Sequence, residues 1–187
     1  GEMDEPFDVR LIDIRNPEAK QDPDFLASSP MGKVPAIMDT TPNGVVRMSD
    51  SAAIALYLAD RYPASGLAPA IDDPERGDYL YWMTYTPGAI EPAMMEKFNN
   101  LELSRASTGW GNYETVIGVL EAGLEEGPWL LGEVFSAADV LVGSSVYFMK
   151  MFGLLPESPV LEAYAERCLA RPAYQQALAR DAELSPQ

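Results

Sequence analysis

Two neighbouring residues have the types and spacing to bind a small zwitterion. Asp50 and Ser51 stand directly before an apolar helical pattern, where free N–H groups and the helix dipole attract an anion. Ser51 adds a hydroxyl donor, and the Asp50 carboxylate adds an acceptor for a cation. Together they suit a ligand end that carries both a carboxylate and an ammonium. The alternative is that both residues serve only as helix caps.

A predicted hairpin precedes this helix. The apolar run at residues 34–38 begins with Val34 and Pro35, and a proline there favours the first residue of a strand. The Val34 backbone can pair with an extended peptide by β-augmentation. A turn signal at residues 42–44 leads into a second strand at 45–48. We expect the connection to be longer than the tightest hairpin loop.

The two motifs together resemble a known family. The run PMGKVPAI at residues 30–37, followed by SDSAAI at residues 49–54, is similar to the glutathione-binding half of the cytosolic glutathione S-transferase superfamily, bacterial type. The resemblance implies that Pro35 is a cis-proline and that the Val34 backbone pairs with the cysteinyl unit of glutathione. It also implies that Asp50 and Ser51 hold the γ-glutamyl end, and that Lys33 contacts the tripeptide. Asp50 replaces the commoner Glu, which keeps the charge but shortens its reach.

The start of the chain departs from the family pattern. Residues 7–14 alternate apolar and polar side chains and predict a strand. In the family, a similar stretch forms the second strand. The resemblance therefore implies a preceding strand and helix, which carry the Tyr, Ser or Cys that stabilises the glutathione thiolate. Three explanations stay open: truncation, a sequence that begins at the ordered part, or natural loss. The catalytic residue is thus unknown.

Composition excludes several classes of function. Acidic residues outnumber basic ones by 29 to 13, and the net charge of −16 disfavours nucleic-acid partners and anionic membranes. The chain has no His, so it contains no Ser-His-Asp or His-based metal site, and we expect no metal. It has no apolar run long enough to span a bilayer. A single cysteine, Cys168, suits a reducing compartment, and we expect a cytoplasmic protein.

The rest of the chain predicts helices. We expect an α+β protein of two domains: an incomplete thioredoxin-like domain at residues 1–62, a linker at 63–74, and an all-α helical domain at 75–187. Helices are predicted near residues 24–27, 51–62, 75–83, 113–124, 137–151, 159–170 and 172–179. The region after residue 83 is expected to be kinked or broken, because Pro87, Gly88 and Pro92 interrupt it.

The helical region also contains candidate binding and structural residues. Ser136 and Asp139 are spaced for a capping box, so we interpret Asp139 as structural rather than catalytic. Aromatic and Met side chains dominate this region and are interpreted either as core or as an adaptable apolar pocket. In the resembled family, the electrophile pocket lies there. Its candidates are Trp82, Tyr85, Met94, Phe98, Trp110 and Tyr113.

The resemblance implies a function, with alternatives. The first hypothesis is a glutathione transferase that conjugates the glutathione thiolate, as co-substrate, to a small hydrophobic electrophile. The second is a non-catalytic glutathione- or ligand-binding or scaffold protein of the same fold. The third is a glutathione-dependent isomerase or reductase. A homodimer is expected by resemblance, and closed two-fold dimers are the commonest oligomers.

Overall fold

The computed structural model describes residues 2–3, 5–18 and 21–184. A small antiparallel sheet comes first, and helices follow to the end of the described chain. The elements are α1 (Pro23–Ser28), β1 (Ala36–Thr41), β2 (Gly44–Ser49), α2 (Ser51–Arg61), α3 (Arg76–Tyr85), a π-helical segment (Thr86–Ile90), α4 (Glu91–Phe98), α5 (Tyr113–Gly123), α6 (Ala137–Met151), α7 (Pro159–Leu169) and α8 (Pro172–Leu184).

The hairpin of β1 and β2 is tighter than the sequence predicts. Its ladder runs from Ala36 opposite Ser49 to Thr41 opposite Gly44, so only two residues form the loop. The Thr41 hydroxyl donates to the Gly44 carbonyl at 2.8 Å and accepts from the Asn43 N–H at 3.2 Å. Gly44 has a φ of 131°, which favours glycine. These hydrogen bonds stabilise the two-residue turn. The prediction of a longer connection between the strands is therefore wrong.

The predicted strand at residues 7–14 does not form. Residues 5–13 are irregular, and Phe7 and Leu11 are about 60% exposed, at 62% and 60%. Arg180 in α8 lies over the Phe7 ring at 4.4 Å and donates to the Phe7 carbonyl at 3.1 Å. A strand requires hydrogen bonds to a neighbouring backbone, and the one sheet within the described residues pairs β1 only with β2.

Helix α2 connects the hairpin to the helical region. Its small side chains Ala52 and Ala59 are buried in the main hydrophobic core, and α2 packs against α6. At its far end, the Arg76 guanidinium donates to both carboxylate oxygens of Asp60 at 2.8 Å. The same guanidinium donates to the Pro69 carbonyl at 2.9 Å. Bidentate pairing fixes the direction of α2 relative to α3.

The helix expected to be kinked or broken after residue 83 is not broken; a π-helical segment interrupts its regular hydrogen bonding there. Thr86–Ile90 joins α3 to α4, and the Glu91 N–H donates to the Thr86 carbonyl across the wider turn. Pro87 lies near the start of this segment, and a proline ring cannot donate to a helical carbonyl. A π-helical turn contains one residue more than an α-helical turn. The helix therefore continues, but a different set of side chains faces the core after the segment.

The centre of the helical region is built from α5, α6 and α7. Val116, Ile117 and Leu120 form the buried face of α5, as their spacing predicts. The predicted capping box at the start of α6 is confirmed: the Ser136 N–H donates to Asp139 at 2.9 Å, and the Ala138 N–H donates to the Ser136 hydroxyl. Helix α8 is described over Pro172–Leu184, which is longer than expected.

The domain division stays a prediction. Residues 66–75 contain no helix or strand, and α3 begins at Arg76. The outer limits of the two proposed domains, Gly1 and Gln187, lie outside the described residues.

In the part of the chain that is described, no helix combines the length and apolar character that a bilayer crossing requires.

Candidate functional site

The hairpin register brings the two predicted binding groups to one place. Since Ala36 faces Ser49 in the last pair of the ladder, Val34 and Pro35 leave the hairpin at the same end as Asp50. The Val34–Pro35 peptide bond is cis, as the resemblance implies. Val34 is 49% exposed, and its backbone makes no hydrogen bond within residues 2–3, 5–18 and 21–184. An extended peptide can therefore reach this edge.

Asp50 caps α2 and keeps one oxygen free. Its Oδ1 accepts from the N–H groups of Ala52 and Ala53, each at 3.0 Å. Its Oδ2 has no hydrogen bond to any described residue. The backbone of Asp50 has a φ of 84° and a ψ of 126°, a strained conformation for a side-chain-bearing residue. The cap interpretation is thus correct for one oxygen, and the other remains available to a cation.

Ser51 supplies two free donors at the same point. It is the first residue of α2 and is exposed, and its N–H has no intrahelical acceptor. Within the described chain its hydroxyl has no partner either. Because the Asp50 side chain satisfies the next two N–H groups, the free donors of this helix end are concentrated on Ser51. This is a suitable position for a ligand carboxylate.

The loop that carries Lys33 is held by a residue that the sequence analysis missed. The fully buried Ser29 hydroxyl donates to the Lys33 carbonyl at 2.7 Å and accepts from the Lys33 N–H at 2.9 Å. Both polar groups of the Lys33 backbone are therefore satisfied, while its side chain is exposed. Ser29 is the C-cap residue of α1, so α1 fixes the approach to Val34.

A second missed residue is Glu91, the first residue of α4. Although the Glu91 side chain is exposed, desolvation by its surroundings raises the pKa of its carboxyl, and the negative charge of Asp50 raises it further. Glu91 follows the fully buried Ile90, which anchors this helical turn in the core. The only sequence signal was an isolated carboxylate in a stretch otherwise rich in aromatic and Met residues.

The six candidates for an apolar pocket lie in different environments. Trp82 and Tyr113 are buried, at 7% and 6% exposure, whereas Phe98 is 57% exposed. In three of the six, the polar side-chain atom donates a hydrogen bond to another residue of this chain and is therefore not available to a ligand. Tyr113 donates to the Leu154 carbonyl, Tyr85 to the Val116 carbonyl at 3.2 Å, and Trp110 to Glu96 at 2.9 Å. Met94 is half-buried against the core. The apolar pocket stays a prediction.

One cavity beside these residues is polar. It has a volume of about 310 Å³, and Tyr113 is the only one of the six candidates in its lining, which includes Glu96, Lys97, Glu102 and Glu114. Charged walls suit a polar ligand better than a hydrophobic electrophile.

Among the described residues, no group of three or more Cys, Asp or Glu side chains is arranged to hold a metal ion.

Comparison with known proteins identifies the family. Residues 1–61 match the family model described as glutathione S-transferase, N-terminal domain. The disulfide-bond oxidoreductase YfcG of Escherichia coli (strain K12) is 31% identical over 183 residues, which cover 92% of this chain and 84% of that protein. The chain belongs to the glutathione S-transferase superfamily. The resemblance based on residues 30–37 and 49–54 is thereby confirmed.

Solved structures of the superfamily agree with this fold. A glutathione transferase from Methylococcus capsulatus str. Bath is 32% identical with a TM-score of 0.68, covering 86% of this chain and 79% of that one. A sphingomonad glutathione S-transferase complexed with glutathione is 27% identical with a TM-score of 0.70, covering 93% and 86%. The fold is thus a thioredoxin-like region followed by a helical region, as predicted.

Proposed function

We propose that this protein binds glutathione at the open end of the hairpin and acts as a glutathione transferase. The observation that supports this most is that three different binding groups meet there. They are the unpaired edge at Val34, the free donors of Ser51 and the free Oδ2 of Asp50. Glutathione contains a complementary group for each: a peptide main chain, a carboxylate and an ammonium. Lys33 and Pro35 flank the edge and would border the bound tripeptide.

The proposed reaction is a thiol substitution. The glutathione thiol loses its proton, and the thiolate sulfur forms a bond to an electrophilic carbon as the leaving group departs with the bonding electrons. We assign no described residue to lower the pKa of that thiol. The resemblance assigns that role to a Tyr, Ser or Cys in an element that precedes the segment at residues 7–14.

The electrophile is proposed to bind against the Met and aromatic side chains of the helical region. Its candidates remain Trp82, Tyr85, Met94, Phe98, Trp110 and Tyr113. Phe98 on α4 is the most accessible of the six at 57% exposure, whereas Tyr85, Met94 and Trp110 are half-buried. Trp82 and Tyr113 would act mainly by supporting the walls.

Calorimetric titration with glutathione tests the site. Ser51→Ala and Asp50→Asn are each expected to weaken binding about tenfold, because a charge-assisted hydrogen bond is lost. Matched controls are Ser104→Ala and Asp72→Asn, which alter exposed residues away from the hairpin. If both test variants bind glutathione as tightly as the parent, the site assignment is wrong.

A second candidate reaction is glutathione-dependent disulfide reduction. It is favoured by the 31% identity with a disulfide-bond oxidoreductase. Two glutathione thiols would reduce one substrate disulfide to two thiols and would themselves become glutathione disulfide. Parallel assays with an aromatic chloride and with a small disulfide separate the two reactions. Binding without turnover of either substrate would favour the non-catalytic alternative.

Three further properties are proposed with the function. A two-domain division near residues 63–74 is supported by the absence of a helix or strand at 66–75. A homodimer is supported by the frequency of closed two-fold assemblies. A cytoplasmic location is supported by the single, half-buried Cys168, which suits a reducing compartment. Size-exclusion chromatography with light scattering tests the dimer.

A further inference from the structure

One buried hydroxyl in the π-helical segment has no hydrogen-bond partner. Thr86 is the first residue of this segment and is 4% exposed. Its Oγ1 makes no hydrogen bond to any of the described residues, although the atom itself is buried. The segment packs against α5 and α6, so this hydroxyl lies in the interior of the helical region. Because an unpaired buried hydroxyl costs free energy, the large majority of such groups in native proteins have a partner.

A second threonine in the same helix shows the pairing that Thr86 lacks. Thr84 lies two residues earlier, and its hydroxyl donates to the carbonyls of Leu80 and Tyr81, each at 3.0 Å. These are the carbonyls four and three residues before it, which threonine in a helix commonly uses. The Thr86 hydroxyl makes neither of the corresponding bonds. Its own helix therefore does not satisfy it, and a partner has to come from elsewhere.

The residue that follows Thr86 leaves a nearby carbonyl without its usual donor. In an α-helix, the N–H of residue 87 would donate to the Met83 carbonyl, but Pro87 has no N–H. Met83 is three positions before Thr86, and a helical side chain extends back toward the preceding turn. The sequence thus places a hydroxyl with no partner within one turn of a carbonyl that lacks its α-helical donor.

We propose that one internal water molecule binds at the Thr86 hydroxyl and bridges it to the Met83 carbonyl. Water both donates and accepts hydrogen bonds, and a buried water typically joins about three polar groups that have no other partner. The side chains of Met83, Ala89 and Ile90 on the same buried face are apolar, so the site excludes charged ligands. This water site is independent of the proposed function, because none of these residues belongs to the proposed glutathione site.

Crystal structures and urea unfolding of the parent, Thr86→Val and Thr86→Ser test the site. In the parent and in Thr86→Ser, an ordered water is expected at about 2.7–3.0 Å from the hydroxyl oxygen of residue 86. Thr86→Val replaces the hydroxyl with a methyl group of similar size, so we expect the water to be lost and the urea midpoint to fall. Thr84→Val removes an exposed hydroxyl from the same helix and is the matched control, which should leave the water in place.

Each outcome either supports or overturns the water site. Loss of the water in Thr86→Val, together with a lower urea midpoint, supports it. A parent or Thr86→Ser structure without the water overturns it. An unchanged or higher urea midpoint in Thr86→Val also overturns it, because replacing a dry, unpaired hydroxyl with a methyl group removes a cost. A water that persists in Thr86→Val overturns the role of Thr86. If Thr86→Val does not fold, the parent and Thr86→Ser structures decide the question.

Discussion

The hydroxyl of Ser29 satisfies both backbone polar groups of Lys33, donating to its carbonyl at 2.7 Å and accepting from its N–H at 2.9 Å. The fully buried Ser29 thus closes the short loop between α1 and the cis Val34–Pro35 bond. This loop directly precedes the edge to which a peptide ligand would pair. A small helix with no proposed ligand contact therefore sets the position of the binding edge.

Removing this hydroxyl should loosen the binding edge. Ser29→Ala is expected to cost about 1–3 kcal/mol of unfolding free energy and to weaken glutathione binding, because both Lys33 groups lose their partner. Urea denaturation and calorimetry measure the two effects. Ser28→Ala changes the adjacent buried serine and serves as the control. Equal glutathione affinity in the parent and in Ser29→Ala would show that the loop does not position the site.

Two glycines in α5 should respond oppositely to alanine. A Cβ on Gly123 would lie 2.3 Å and 2.6 Å from two carbons of the Trp82 ring, so Gly123→Ala is expected to cost about 1–3 kcal/mol. A Cβ on Gly118 would meet nothing within 4 Å, so Gly118→Ala is expected to stabilise by about 0.5–1 kcal/mol through helix propensity. Thermal and urea unfolding measure both. Stabilisation by Gly123→Ala would contradict the close packing of Trp82.

Asp139 should be a structural residue with a large effect. Its buried carboxylate accepts from the Leu130 and Ser136 N–H groups, the Ser136 hydroxyl and the Tyr164 hydroxyl. Asp139→Ala leaves all four donors unpaired and is expected to cost about 3–5 kcal/mol. Tyr164→Phe removes one donor and is expected to cost only about 1 kcal/mol. Comparable losses in the two variants, measured by urea unfolding, would refute this ranking.

Alkaline pH should destabilise the folded protein. Burial raises the pKa of Tyr79, Tyr85 and Tyr113 from 10.0 to about 12, and burial together with the Asp139 charge raises that of Cys168 from 9.0 to about 12. These groups ionise more readily in the unfolded chain. Their contribution to stability is therefore complete below pH 9 and is lost as the pH rises toward about 12.

Urea unfolding at about pH 8 and about pH 10.5 measures this loss. Cys168→Ala removes the thiol that ionises first in the unfolded chain and is expected to reduce the pH dependence. An unfolding free energy that stays constant between the two pH values would contradict the assigned direction. A rise in that free energy with pH would contradict it as well.

The sequence correctly predicted those elements that are stabilised by interactions between residues close together in the chain. The capping box of Ser136 and Asp139 lies within one turn, and the buried face of α5 follows from the spacing of Val116, Ile117 and Leu120. The hairpin and the helix at Asp50 were likewise predicted. In each case, the energy that selects the conformation comes from residues a few positions apart.

Interactions between distant segments were not predictable in this way. Alternation at residues 7–14 indicates a preference for one face of a sheet but not the presence of a partner strand. The pairing of Arg180 with Phe7 depends on how remote elements pack. The Ser29 bond is local, but nothing in the residue types distinguishes it from an ordinary buried serine.

The packing of Ala52 and Ala59 into the core has a consequence for cooperativity. Because these small side chains let α2 lie directly against α6, the helix that begins at the ligand site shares its core with Val142 and Leu161. The hairpin end and the helical region should therefore melt in a single transition. Mutations deep in the helical core would lower ligand affinity by populating the unfolded chain, without touching the ligand.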